Sequence, residues 1–232
     1  MYNTELNDSH FEEIKSLTWF PWVGSSYKDE NPKMLIVGES NYEWGNNSQK
    51  YLEDAKFNRF TIKWRIDREK TDAKILSNIE KALFGQTTTS VEESRNLWKK
   101  CSYYNLIQKA MKDKKTRPLE NDYKEGWEVF FSVIEVLKPN YVLLCSTTAL
   151  NKYKEQFNAE MLKNSYSQVE IKQYEKVGNI NAGYVKIQKG DYVVKILFIR
   201  QASSFFSWTR WHEYIKKYFS DYVARLKTEK IH

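Results

Sequence analysis

The stretch Met34-Leu35-Ile36-Val37-Gly38-Glu39-Ser40-Asn41-Tyr42 decides the fold. Its first four residues are apolar and two are β-branched, the pattern of a strand covered on both faces. Such strands belong to parallel sheets packed between helices. Gly38 ends the strand. A carboxylate, a hydroxyl, an amide and a phenol then follow in consecutive positions. Open α/β sheets bind ligands in the crevice at the carboxyl ends of their strands, so this cluster is a candidate site. The plainer alternative makes Glu39 a helix cap and Asn41 a turn residue.

Two further apolar runs lead into polar clusters. Tyr141-Val142-Leu143-Leu144-Cys145 precedes Ser146-Thr147-Thr148-Ala149, which opens a helix. Val193-Val194-Lys195-Ile196-Leu197-Phe198-Ile199 runs into Arg200-Gln201-Ala202-Ser203-Ser204-Phe205-Phe206-Ser207. Between the first two strands, Trp127, Phe130, Phe131, Ile134 and Leu137 form one stripe, predicting an amphipathic helix over 125–137. Strand, helix and strand at this spacing predict parallel crossovers.

Outside these runs the pattern is weaker. Phe11, Ile14 and Leu17 predict a short amphipathic helix within 1–17. The aromatic loop Trp19-Phe20-Pro21-Trp22-Val23-Gly24 either lines a pocket or plugs the sheet end. Residues 59–68 alternate basic residues with aromatic and branched ones. That alternation predicts a strand or extended loop with one basic face, either a platform for phosphates and bases or a solvated surface. A turn is expected at 44–47 and a basic loop at 113–118. Helices are expected over 71–84, from 91 and over 209–226, and polar helix and loop over 150–189. With no repeat, linker or low-complexity stretch, residues 1–232 read as a single domain with an elaboration at about 43–100.

Bulk properties narrow the function. The chain has 232 residues, and 41 % hydrophobic against 29 % charged residues predicts a folded, soluble protein. The net charge of +7 favours polyanionic partners, and the 16 % aromatic content suits both core packing and base stacking. Cys101 and Cys145 sit in or beside apolar runs and read as reduced core residues of a cytoplasmic protein. His10, His212 and His232 make no ligand spacing, so no metal is expected. No Gly-rich dinucleotide or P-loop pattern occurs, which argues against a nucleotide-binding small-molecule enzyme, and no cofactor is expected. No stretch matches the roughly 18 consecutive apolar residues of a membrane span, and no export signal is present.

From about Trp19 to Phe219 the chain resembles the uracil-DNA glycosylase superfamily. Gly38-Glu39-Ser40-Asn41-Tyr42 is similar to that family's water-activating motif. Tyr104-Asn105-Leu106 is similar to the strand that carries its base-reading asparagine. Gly126-Trp127-Glu128-Val129-Phe130, followed by Tyr141-Val142-Leu143-Leu144-Cys145-Ser146, resembles the next helix and strand. Gln201-Ala202-Ser203-Ser204-Phe205 occupies the place of the final His-Pro-Ser loop. The resemblance implies a three-layer α/β/α fold with a central, mostly parallel four-stranded sheet and DNA across the strand carboxyl ends. Two departures stand out. Ser40 replaces the aspartate of the best-studied members, while Glu39 matches another branch, and Gln201-Ala202 replaces His-Pro.

On this resemblance the expected activity is cleavage of an N-glycosidic bond to a flipped base, uracil or a modified base such as those of phage DNA. A catalytically inactive nucleic-acid-binding protein is the alternative. Bond cleavage builds positive charge on the sugar and negative charge on the base. Glu39 is the only acid in its loop and suits the sugar cation; Gln201 can donate to the leaving base; Asn41 completes the expected catalytic set. Asn105, Tyr42 and Ser40 are expected around the base, and Ser203, Phe205, Phe206 and Arg200 on the DNA. Strand alternation is expected to point Arg200 away from Gln201. His212 is an outside candidate for the donor, the alternative being a surface or capping histidine. The expected partner is single- or double-stranded DNA, bound by a monomer.

Overall fold

The three apolar runs and the strand that carries Asn105 emerge as adjacent parallel strands. A computed structural model describes residues 2–45, 48–67, 74–113, 115–203 and 205–228. Asn46 and Asn47 of the expected turn, Arg68, residues 71–73, Lys114 and Ser204 lie outside the described residues.

In chain order, α1 (Asp8–Glu12) leads to β1 (Trp22–Val23), β2 (Met34–Gly38) and β3 (Asn41–Tyr42). Helices α2 (Gln49–Leu52), α3 (Phe57–Asp67), α4 (Lys74–Phe84) and α5 (Val91–Lys100) follow, then β4 (Cys101–Asn105) and β5 (Ala110–Met111). Next come α6 (Glu120–Leu137), β6 (Tyr141–Leu144), α7 (Thr147–Asn151) and α8 (Lys154–Lys163). The chain closes with β7 (Ser167–Val177), β8 (Ile180–Lys189), β9 (Tyr192–Phe198), α9 (Trp208–Tyr218) and α10 (Ser220–Thr228).

Among the described residues, seven strands form the main sheet in the order β1-β4-β2-β6-β9-β8-β7. The inner four, β4-β2-β6-β9, are mutually parallel, and β1, β8 and β7 add antiparallel edges. The expectation of four strands is therefore corrected to seven. Residues 167–189, read as polar helix and loop, form the long β7–β8 hairpin. Its strands lie toward one margin of the sheet and keep many polar, half-exposed positions, which hid them from a search for apolar runs.

Helices cover both faces, as alternation along the strands requires. Leu35, Val37, Val142 and Leu144 pack with Trp127, Phe130 and Phe131 of α6 and Phe157 of α8. Met34, Ile36, Leu143 and Leu197 pack with α3, α4, α5, α9 and α10 on the other side. The strand residues Leu35, Ile36 and Val37 are fully buried, each contributing roughly 1.5–3 kcal/mol by leaving water.

Three further expectations change. Residues 59–67 are helical: Asn58, Ile62, Arg65 and Ile66 are buried at helical spacing. The alternation misled because Arg59 and Arg65 do not form a basic face. Arg59 pairs with Asp8, and Arg65 with the fully buried Glu80. The predicted N-terminal helix shrinks to Asp8–Glu12. The single last helix is two, because Phe219 leaves the helical region at φ −121°, ψ 42°. Among the described residues, no helix is long and apolar enough to cross a membrane.

Candidate active site

Strand order places the site. β2 is the first strand of the parallel set; β4 lies on one side of it, and β6 and β9 on the other. The order reverses at β2, and ligands of such sheets bind outside the carboxyl ends of the strands at that reversal. Glu39 follows β2 and Ser146 follows β6, so the two residues face each other across this point.

Register then builds the wall. Gly38 is paired with Asn105 on β4. A Cβ on Gly38 would lie 2.0 Å from Asn105 Oδ1 and 2.9 Å from the Tyr103 hydroxyl, so only glycine admits the asparagine here. Backbone bonds from Leu106 N to Gly38 O and from Ile107 N to Glu39 O, both 2.9 Å, carry the ladder past the strand ends. Gly126 performs the same service for α6: a Cβ there would meet Leu106 O at 2.8 Å. The close approach brings Tyr123, in the first turns of α6, over Glu39.

Glu39 is buried, and its Oε1 accepts from Tyr123 Oη at 2.8 Å and Ser146 Oγ at 2.5 Å. Oε2 has no donor among the described residues. Ser146 Oγ also accepts from Ala149 N at 3.2 Å, so one hydroxyl caps α7 and orients the carboxylate. Tyr123 stacks on Tyr153 with centroids 4.1 Å apart. Burial, and then the neighbouring Glu39 charge, hold the Tyr123 hydroxyl well above the usual phenol range, so it stays a donor. Burial and then Glu39 push the Cys145 thiol up to about 12, which leaves it no nucleophile near neutrality.

These residues line a cavity of about 1020 Å³. Glu39, Ser40, Asn41, Tyr42, Asn105, Arg200, Gln201, Ser203 and Phe205 all border it. Arg200 was expected to point away from Gln201. Both border the cavity because β9 ends at Phe198 and strand alternation no longer applies. Phe206 does not border the cavity: half-buried, it stacks on Trp211 at 6.0 Å and 11° and packs against the helical layer. Phe205 stands 89 % exposed at φ +58° on the rim. Asn78 of α4 holds this loop by donating to Ala202 O at 2.9 Å and Ser203 O at 3.2 Å. His212 is buried rather than at the surface, and it is the capping histidine: its Nδ1 lies 2.8 Å from the carbonyl oxygen of Ala82 in the last turn of α4, so it is no donor in the cavity.

No protein-family model matches this chain, and no curated protein sequence is similar to it.

The charge around the cavity is lopsided. Lys74, Arg117, Lys152 and Arg200 border it, and none has a carboxylate partner among the described residues. Glu39 is the one acid on the wall among those residues. Among them, too, no group of three or more His, Cys, Asp and Glu is placed to hold a metal ion. Sequence reasoning missed Tyr123, Ser146 and Asn58. Ser146 carried a signal, since it follows β6 as Glu39 follows β2. Tyr123 lay before the expected start of its helix, and Asn58 was hidden by the misread alternation.

Proposed function

We propose that this protein hydrolyses the N-glycosidic bond of a base flipped out of DNA, uracil or a modified base such as those of phage DNA. One observation carries the reading: a hydroxyl-oriented carboxylate at the sheet's reversal point, in a cavity ringed by four cations without acidic partners. Cations in that arrangement suit the phosphates of a strand. A lone carboxylate among them suits a reaction centre that becomes positive.

In this mechanism the C1′–N bond breaks and its electron pair leaves with the base. Glu39 Oε2 favours the sugar cation and orients the water that attacks C1′, taking its proton. Gln201 donates to the departing base, with Arg200 as the charged donor on the same wall. Tyr42 limits the base, and the exposed Phe205 fills the gap left in the stack. Ser203 holds a flanking phosphate. The protein acts as a cytoplasmic monomer without metal or cofactor.

The neutral Gln201, where the resemblance implies histidine, favours a second reading: a nucleic-acid-binding protein of glycosylase-like fold that does not cleave. One screen separates the two. Base release is measured from single- and double-stranded DNA containing uracil and from DNAs with modified phage bases, beside affinity across a salt series. The enzyme reading expects release from at least one DNA and affinity that falls with salt. Salt-sensitive binding with no release favours the second reading, and absent binding at low salt sinks both.

A further inference from the structure

The polar atoms around Asn105 fix one another's orientation in a chain that begins at the backbone. Asn58, fully buried, donates from Nδ2 to the carbonyl oxygens of Trp19 at 3.1 Å and Phe20 at 3.5 Å. A carbonyl oxygen only accepts, so Asn58 presents Oδ1 on its other side. That oxygen faces Asn105 at 3.4 Å, so Asn105 turns its Nδ2 toward it. The same Nδ2 donates to Asn41 Oδ1 at 2.9 Å. Asn105 Oδ1 accepts from the Tyr103 hydroxyl at 3.2 Å. Both amide hydrogens of Asn105 are thereby committed inside the protein.

The amide left over belongs to Asn41. Its oxygen is held by Asn105, so its nitrogen lies on the opposite side of the amide. That nitrogen is shielded from solvent and has no partner among the described residues, on a residue that borders the cavity. The adjacent Ser40 Oγ is in the same condition. Buried donors without acceptors are costly, and native structures supply the acceptor. Asn41 is only half-buried and sits on the two-residue β3, outside the main sheet, so a shift of that short strand opens its amide to a ligand without disturbing the main sheet.

We infer that Asn41, oriented through Asn58 and Asn105, donates to a ring carbonyl oxygen of the bound base, and that Asn105 is its positioning residue. The substrate class is then a base whose edge presents such an oxygen. The inference rests on the glycosylase reading and moves base recognition from Asn105 to Asn41.

The test uses three single-stranded oligonucleotides that resist cleavage. One carries 2′-fluoro-deoxyuridine, one a difluorophenyl C-nucleoside that keeps the shape of uracil but replaces both carbonyls with fluorine, and one an abasic analogue. Wild type is expected to prefer uracil over the isostere by roughly three- to tenfold, the yield of one hydrogen bond. Asn41→Asp and Asn41→Ala should both lose that preference while affinity for the abasic strand stays, with folding checked by thermal melting. A preference that survives both variants overturns the inference and passes recognition to the other donors on the wall, Gln201 and Arg200. A wild type that binds the abasic strand but does not distinguish uracil from the isostere also overturns it, leaving the DNA reading intact. No binding to any strand at low salt removes the reading and the inference together.

Discussion

Glu39 shows how far a single residue was legible. The role proposed for it follows from its being the one acid behind a buried strand. Its partners do not, because Tyr123 and Ser146 lie 84 and 107 residues away. Glu39→Gln keeps the shape and hydrogen-bonding size of the side chain and removes the charge. On whichever DNA proves to be cleaved, the variant should release base about a hundredfold more slowly or worse, with affinity for uncleaved DNA little changed. Single-turnover release beside equilibrium binding checks this, and equal release rates would remove Glu39 from the chemistry. Asn105 was legible in the same partial way: its place on a strand came from the resemblance of Tyr104-Asn105-Leu106 to a family motif, while the commitment of its amide to Asn41 and Asn58 needed coordinates.

Among elements, three of the four parallel strands were legible because burial on both faces leaves an apolar run that no other local structure explains as well, while β4, with Ser102 and Asn105 among its five residues, came only from the resemblance. The 57–67 helix was not, because the charges within it are buried and paired. That helix shows what its misread arginine does. Glu80 of α4 has no exposed surface and accepts from Arg65 Nε at 2.9 Å and Nη2 at 2.5 Å, from Thr89 and Ser94 hydroxyls at 2.8 Å, and from Trp98 Nε1 at 2.8 Å. One carboxylate thus ties α3, α4 and α5 together behind the sheet. Glu80→Ala leaves Arg65 charged and unpaired in the interior. The expected loss is about 3–5 kcal/mol, read from urea unfolding curves. A loss under about 1 kcal/mol, the range of exposed pairs, would mean that water reaches the cluster.

For the whole molecule, buried hydroxyls and thiols set the alkaline limit. Burial holds the Tyr27, Tyr104 and Tyr222 hydroxyls well above their ordinary value of 10.0, and the Cys101 and Cys145 thiols at about 12 against 9.0. The native protein therefore keeps protons that the unfolded chain releases from about pH 9 upward. Stability is fully present below that pH and declines as pH rises toward the native values. Thermal melts should hold a steady midpoint from pH 7 to about 9 and fall beyond it. A midpoint unchanged through pH 11 would show that these groups are not buried in solution. The sheet's larger extent was illegible for a related reason: β7 and β8 are long but half-wet, and half-wet strands share their composition with loops.

The outermost strand also governs how copies of the protein treat one another. β7 presents a row of backbone donors and acceptors along the rim of the sheet, the kind of border on which a second chain can nucleate a shared sheet. Two features spoil that border as a template. The register slips twice, between Gln168 and Glu170 and again between Gln173 and Glu175, where Tyr174 is held at φ +60°. Glu170, Lys172, Glu175 and Lys176 add charge along the same strand. A continuous strand cannot zip past these breaks without leaving backbone groups unpaired. The hairpin thus widens the sheet while giving it a rim that is a poor template for a second chain.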